Sequence, residues 1–167
     1  MTYARANAAQ RALRRLGASR PGSWVFARLL HRIDRPVHRL TRGRHTFASV
    51  VSGLPVIMLT TIGARSGRPR SVPVLGLPTV DGLVVIASNF GQDRHPAWYH
   101  NLRANPNGHV RVDGVTWPFH AREAEGDERA RIWQTGLELY PGFSQYESRA
   151  TDRRIAVFVL DQVDMAA

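Results

Sequence analysis

The chain has 167 residues, of which 43% are hydrophobic, and this is enough for one globular domain with its own core. It contains no cysteine, so disulfide bonds, thiolate metal sites and cysteine nucleophiles are excluded. The formal net charge is +10, and the excess lies entirely in residues 1–44, which hold eleven arginines and one acid. Residues 45–167 have no net charge, because they hold twelve arginines and twelve acidic residues. We therefore expect a basic N-terminal extension (1–44) and a neutral body (45–167).

The extension is predicted to be helical. Its first 17 residues are rich in Ala and Arg, and apolar residues then recur at helical spacing from Phe26 to Leu40, with arginines between them. Such a basic amphipathic helix suits an anionic membrane surface, or its apolar side packs on the body while the arginines face water. No signal peptide is recognisable, because Arg28 interrupts the one candidate apolar region. We expect a cytoplasmic protein, with the inner membrane face as a second place for it.

The body is predicted to be mainly strands joined by short turns. Six runs of alternating or continuous apolar residues are predicted as strands: 55–61, 71–78, 83–88, 109–112, 115–122 and 155–160. Helices are predicted at 95–106 and 126–139. The apolar run 83–88 indicates burial on both faces, and Pro118 predicts an edge position for its strand. About six strands in hairpin order favour a mainly β (α+β) fold, a closed or partly closed barrel.

Several familiar kinds of site are missing from the sequence. There is no G-x-S-x-G elbow, no P-loop and no Rossmann glycine fingerprint. The seven histidines are scattered without the spacing of a metal site, so no metal is expected. The body also lacks a helix-turn-helix pattern or a strand face of aromatic and basic residues. We therefore expect no nucleic-acid partner.

The turn between the first two predicted strands is unusually basic. The stretch "TTIGARSGRPRSVP" (60–73) places three arginines between two apolar runs. Its two glycines let backbone N–H groups approach a ligand, Ser66 adds a hydroxyl donor, and guanidinium groups bind phosphate or carboxylate in a bidentate manner. This pattern indicates an anionic ligand, with a solvated hairpin as the alternative. We call residues 63–70 the arginine turn; its cations are Arg65, Arg68 and Arg70.

Two further segments combine aromatic and polar residues. In "ASNFGQDRHPAWYHNLRANP" (87–106), small polar residues follow a buried strand and precede a helix, a place that offers backbone donors to a planar polar ring. Around Pro141-Gly142, three aromatic residues are spaced by three. They either wall a pocket for a flat hydrophobic substrate or simply pack in the core. These aromatic residues are Tyr140, Phe143 and Tyr146.

Taken together, the runs "LTTIGARSGRPRSVPV", "VVIASNFGQDRHPAWYHNLRANP" and "YPGFSQY…RRIAVFVL" resemble the deazaflavin (F420)-dependent nitroreductase and quinone reductase family over roughly residues 50–162. The resemblance implies a split β-barrel of the flavin and deazaflavin oxidoreductase superfamily, with flanking helices. It also implies transfer of a hydride from reduced F420 to a quinone or nitroaromatic-like acceptor. An FMN enzyme of the same fold is one alternative, slightly disfavoured because FMN lacks a polycarboxylate tail. A basic membrane- or nucleic-acid-binding module without catalysis is the other.

The resemblance also implies cofactor contacts. The arginine turn would hold the phosphate and the oligoglutamate tail of F420, the next strand would pack on the deazaflavin ring, and the segment after the third strand would place donors along the ring edge. The residues implied as cofactor-binding are Arg65, Ser66, Gly67, Arg68, Arg70, Pro73, Ala87, Ser88, Asn89 and Asn101.

The substrate side is implied in the same way. Trp98 would stand with Asn101 at the boundary of cofactor and substrate. The pocket would be lined by Trp98, Tyr140, Phe143 and Tyr146. The hydroxyl of Tyr140 or Tyr146 is the candidate that hydrogen-bonds or protonates the developing oxyanion of the acceptor.

Overall fold

Six antiparallel strands close into a barrel in the computed structural model, which describes residues 56–163. The strands are β1 (Val56–Ile62), β2 (Pro69–Thr79), β3 (Gly82–Ile86), β4 (Asn107–Val112), β5 (Val115–Glu123) and β6 (Val157–Gln162). The helices are α1 (Ala97–Ala104), α2 (Gly126–Leu139) and α3 (Gly142–Arg149), and a 3-10 turn covers Asn89–Gly91. Around the barrel the order is β1-β2-β3-β6-β5-β4, and β4 pairs again with β1.

The mainly β barrel fold is confirmed, and each strand and helix predicted for the body lies within two residues of an observed one. The helix α3 was not predicted, because Pro141-Gly142 indicates a break and the aromatic spacing that follows was assigned to a pocket. The predicted basic helices of residues 1–44, and with them the division at residue 44, lie outside the described residues. That division stays a prediction.

Alternation along the strands separates two cores. The barrel interior is filled from all sides and closed at one end by Trp98 and Leu102 of α1. A second core lies outside the barrel, where β2, β3 and β6 pack against α2 and α3. The strand β3 serves both: Val84 and Ile86 belong to the outer core, whereas Val85 belongs to the inner one. Burial of this segment on both faces is therefore confirmed.

The strand β2 changes partners at Gly76. It pairs with β1 from Pro69 to Leu75 and with β3 from Gly76 to Thr79. A Cβ at Gly76 would lie 2.7 Å from Cγ2 of Ile57, so only glycine fits where the strand crosses the core. Within residues 56–163, the first half of β2 therefore has a partner strand on one side only. Its unpaired edge lies at the barrel end where β3 finishes.

The prediction of an edge position for the strand with Pro118 is wrong. The strand β5 pairs with β4 on one side and with β6 on the other. The ladder to β6 begins only at Phe119, and the Pro118 carbonyl accepts the N–H of Val163 beyond it, at 3.2 Å. The backbone N and O of one strand residue face the same neighbouring strand, so the nitrogen of Pro118 faces β6. The N–H that proline lacks would therefore lie beyond the end of the β5–β6 ladder. A proline is tolerated in this doubly paired strand for this reason.

Candidate functional site

Three segments far apart in the sequence meet at one end of the barrel. Because neighbouring strands are antiparallel, the end of β1, the start of β2 and the end of β3 lie at the same end. The arginine turn joins β1 to β2 there, and the chain that leaves β3 passes there before it enters α1. Barrel topology therefore brings together the segments that the sequence singled out.

The arginine turn is closed by its own backbone. The Gly63 carbonyl accepts the N–H groups of Ser66 and Gly67 at 3.2 and 2.8 Å, and the Gly63 N–H donates to the Arg68 carbonyl at 2.9 Å. Gly67 has a φ of 62°, the left-handed conformation that glycine adopts at little cost. The Ser66 hydroxyl accepts the Arg68 N–H at 3.4 Å. The turn is thus a small self-bonded loop, with its side chains left for other partners.

Those side chains are exposed cations. Every residue from 64 to 70 is exposed, and no carboxylate within residues 56–163 forms an ion pair with any arginine of the turn. The three guanidinium groups can only donate hydrogen bonds, and the Ser66 hydroxyl can donate as well as accept. They match the acceptor oxygens of phosphates and carboxylates. This donor set fits the phosphate and acidic tail of F420.

Asn101 of α1 fastens the turn to the barrel. Its Nδ2 donates to Oγ1 of Thr61 at 2.9 Å, and its Oδ1 accepts the N–H of Ala64 at 3.0 Å. Thr61 is fully buried and Asn101 nearly so, which places this amide between the helix and the start of the turn. Both polar ends of the side chain are occupied by the protein itself. A direct cofactor contact of Asn101 stays a prediction.

The chain after β3 has an unusual backbone. Ala87 is buried and its N–H still donates to Ala156, at 2.9 Å, beside the end of β3. The next residues, Ser88 and Asn89, are half-buried. Three consecutive residues then have positive φ: Asn89 (46°), Phe90 (58°) and Gly91 (74°). We call residues 87–92 the β3 loop.

Arg153, which the sequence reasoning missed, holds this loop. Its guanidinium donates to three loop carbonyls, those of Ala87, Ser88 and Gln92. Burial is the largest cause of a lowered pKa for this guanidinium, and Asp93 opposes the shift. All 23 basic residues of the chain are arginines, so nothing in the local sequence distinguishes Arg153 from the others.

His95 lies beside the same guanidinium. Its ring stacks on Tyr99 with centroids 3.8 Å apart, and its Nδ1 lies 3.4 Å from Nη1 of Arg153. Burial, followed by the charge of Arg153, lowers the pKa of the imidazole. The neutral ring can therefore accept a hydrogen bond from the guanidinium at Nδ1.

Pro73 occupies the outer surface of the barrel. Since Val72 pairs with the inward-facing Leu59, Pro73 points outward, and there it pairs with Met58. On the other side of Met58 the row continues to Arg111 of β4. The half-buried Pro73 and Met58 form an apolar surface that suits the face of a planar ring.

The aromatic residues of the predicted pocket lie next to the β3 loop. Tyr140, Phe143 and Tyr146 are all buried in the outer core, and the two tyrosine hydroxyls lie 3.0 Å apart. Phe90 of the loop packs edge-on against Tyr146, and a Cβ at Gly91 would come within 2.9 Å of the Tyr146 Cα. The role of the trio in lining a substrate pocket stays a prediction, as does that of Trp98, which packs on Phe158 at the barrel mouth.

Residues 56–163 contain neither a metal-binding cluster nor a membrane-spanning helix. No group of three or more His, Cys, Asp or Glu side chains there is placed to hold a metal ion. In that same part of the chain, no helix combines the length and the apolar character needed to cross a membrane.

A closed antiparallel barrel with a cationic turn and an apolar outer strand face at one end is the arrangement that the resemblance implies for barrel oxidoreductases with a flavin-like cofactor. Residues 30–162 match the model of the F420H(2)-dependent quinone reductase family. The chain belongs to this family.

Known proteins agree with this assignment. F420H(2)-dependent quinone reductase Rv1261c of Mycobacterium tuberculosis is 32% identical over 134 residues, which are 78% of this chain and 89% of the relative. A solved F420-H2 dependent reductase (FDR-A) is 38% identical, with a TM-score of 0.59 over 64% of this chain and 94% of its own. A structure described as a domain-swapped dimer is 33% identical, with a TM-score of 0.62 over 84% and 99% of the two chains.

The family resemblance, the barrel fold and the enzyme class are therefore confirmed. The protein is an F420-dependent oxidoreductase, and F420 is its cofactor. Neither the FMN alternative nor a module without catalysis receives support from these relatives.

Proposed function

We propose that the barrel end with the arginine turn binds reduced F420, and that a quinone or a nitroaromatic-like molecule accepts the hydride beside it. The observation that carries this proposal is the pair of hydrogen bonds made by Asn101: they hold an exposed loop next to the β3 loop, and its three guanidinium groups form no ion pair within residues 56–163. When bound, reduced F420 supplies a hydride, that is, two electrons and a hydrogen nucleus.

The arginine turn binds the anionic part of the cofactor in this proposal. Arg65, Arg68 and Arg70 hold the phosphate and the tail carboxylates through charge-assisted bonds. Ser66 adds its hydroxyl, and Gly67 allows the ligand close to the backbone because it has no Cβ. Since residues 64–70 are exposed, a tail of variable length can extend from the turn into solvent.

The outer surface and the β3 loop would hold the ring system between them. Pro73 would pack against one face of the ring, and the backbone of Ala87, Ser88 and Asn89 would run along its edge. Trp98 closes the barrel mouth and would exclude water there, and Asn101 holds the arginine turn in place.

Fluorescence titration with F420, run beside FMN, tests the proposal. We expect saturable binding of F420 and at least about 10-fold weaker binding of FMN, because one phosphate replaces a phosphate plus several carboxylates. Equal affinity for the two, or preference for FMN, would show that the turn does not recognise the acidic tail.

The tyrosine pair is the candidate group for charge on the acceptor. We propose that Tyr140 or Tyr146 donates a hydrogen bond or a proton to the oxygen that becomes anionic as the acceptor is reduced, because their hydroxyls already share one bond beside the β3 loop. Tyr140→Phe and Tyr146→Phe are each expected to lower kcat about 10-fold, the loss of one hydrogen bond to a charged group. Unchanged kcat in both variants, measured with a quinone, would contradict this role.

The location of the protein is a separate proposal. The charge of residues 1–44 suits attachment to an anionic membrane from the cytoplasmic side, where lipid-soluble quinones are at hand. Co-sedimentation with anionic liposomes, lost when these residues are deleted and weakened by salt, is the expected result. Sedimentation unaffected by the deletion would leave packing on the barrel as the role of the extension.

A further inference from the structure

The guanidinium group of Arg153 donates hydrogen bonds to both ends of the β3 loop. Arg153 lies between α3 and β6, far in sequence from the β3 loop that it contacts. Its Nη2 donates to the Ser88 carbonyl at 2.7 Å, its Nη1 to the Ala87 carbonyl at 3.0 Å, and its Nε to the Gln92 carbonyl at 2.9 Å. These carbonyls lie at the two ends of the loop, so the planar guanidinium spans it and fixes the distance between its ends.

The loop needs such a restraint. Asn89 and Phe90 both have positive φ, a conformation that costs a residue with a Cβ about 1 kcal/mol or more. The loop does not adopt this shape by preference, since only Gly91 among the three is a glycine. Asn89 adds one bond of its own, from Nδ2 to the Arg94 carbonyl at 2.9 Å. The surroundings, with Arg153 as the shared donor, therefore impose the conformation.

The restraint also orients a donor. A trans peptide group points its N–H opposite to its C=O. Because the Ser88 carbonyl points at Arg153, the N–H of Asn89 points away from the guanidinium, and it has no acceptor among residues 56–163. An N–H held in this way is a ready donor for a carbonyl or ring nitrogen on the edge of a planar heterocycle.

Arg153 has no carboxylate that forms an ion pair with it in the described part of the chain, and burial lowers its pKa. The backbone carbonyls thus replace the water that the cation has lost. A lysine ammonium is a compact group, and it cannot reach carbonyls at both ends of the loop in the plane of a guanidinium fork.

We propose that Arg153 is a positioning residue for cofactor binding: it holds the β3 loop in the left-handed conformation that presents the Asn89 N–H to the ring edge. The inference rests on the proposed placement of F420. It assigns to Arg153 no contact with the cofactor and no step of the reaction.

Arg153→Lys tests the inference, with Arg154→Lys as the matched control, because Arg154 is the exposed neighbour and loses the same group. Two quantities are measured on the full chain: F420 affinity by fluorescence titration, and amide hydrogen exchange at residues 91 and 92, whose N–H groups donate to the Ser88 and Asn89 carbonyls at 2.9 and 3.1 Å, compared with residues 84–86 of β3. For Arg153→Lys we expect about 10-fold weaker F420 binding and about 10-fold faster exchange at residues 91 and 92, the loss of roughly one to two hydrogen bonds. We expect β3 to exchange as before and Arg154→Lys to behave as the parent protein.

The KM values separate positioning from general loss of structure. In Arg153→Lys the KM for reduced F420 should rise while the KM for the quinone stays unchanged. If exchange rises equally in β3 and in the loop, Arg153 supports the fold as a whole and the inference is wrong. If F420 binding and loop exchange both match the parent protein, it is also wrong. Failure of the parent protein itself to bind F420 would instead overturn the proposed function, and the cofactor role of Arg153 with it.

Discussion

Replacing Arg65 and Arg70 together by alanine is expected to weaken F420 binding about 100-fold, roughly 10-fold for each charge-assisted contact removed. The two arginines flank a turn that the backbone bonds of Gly63 close, so truncating their side chains leaves the loop itself intact. Both are exposed and neither forms an ion pair with a carboxylate within residues 56–163. Their removal should therefore change binding without changing the free energy of unfolding.

Titration of the double variant across a range of salt concentrations measures this effect. Salt screens exposed charges, so the affinity of the parent protein should fall with ionic strength more steeply than that of the variant. Arg131→Ala is the control: it removes one positive charge near Asp81, at the opposite end of the barrel. An equal loss of affinity in this control would show that net charge matters, and not the arginine turn.

Much of the fold could be predicted from local pattern. Strands were visible because alternation and turn residues such as Asp81-Gly82 are local signals, and β3 was visible because both of its faces are buried. The arginine turn was visible for the same reason, as an excess of charge within a few residues. Local pattern could not show that β5 pairs with both β4 and β6 although it contains Pro118, since that depends on where β6 stops.

The parts of the site that were missed are those made by contacts over long sequence separations. Arg153 reaches residues more than 60 positions earlier, and only the packing of α3 and β6 brings it to the β3 loop. Asn101 was predicted as a cofactor ligand from its motif, whereas the structure shows its amide bound to Thr61 and Ala64. The resemblance singled out Asn101, and only the geometry shows the two bonds that its amide makes; its contact with the cofactor stays a prediction.

That geometry leads to the second large effect. Asn101→Ala is expected to lower the free energy of unfolding by about 2–3 kcal/mol, because it leaves the buried Thr61 hydroxyl without its partner and removes the acceptor of the Ala64 N–H. Without that acceptor the arginine turn is no longer fastened to α1. We therefore also expect F420 affinity to fall at least about 10-fold, which denaturant unfolding and titration measure separately.

Thr61→Val separates these two consequences. Valine keeps the volume of threonine and removes the bond to Nδ2 of Asn101, while the bond from the Ala64 N–H to Oδ1 remains. This variant should lose about 1–2 kcal/mol of stability, because the amide of Asn101 is left with an unpaired donor, and yet bind F420 nearly as the parent protein does. If both variants lose affinity in proportion to their loss of stability, Asn101 acts on the fold alone. If only Asn101→Ala loses affinity, the bond to Ala64 is what places the arginine turn for its ligand.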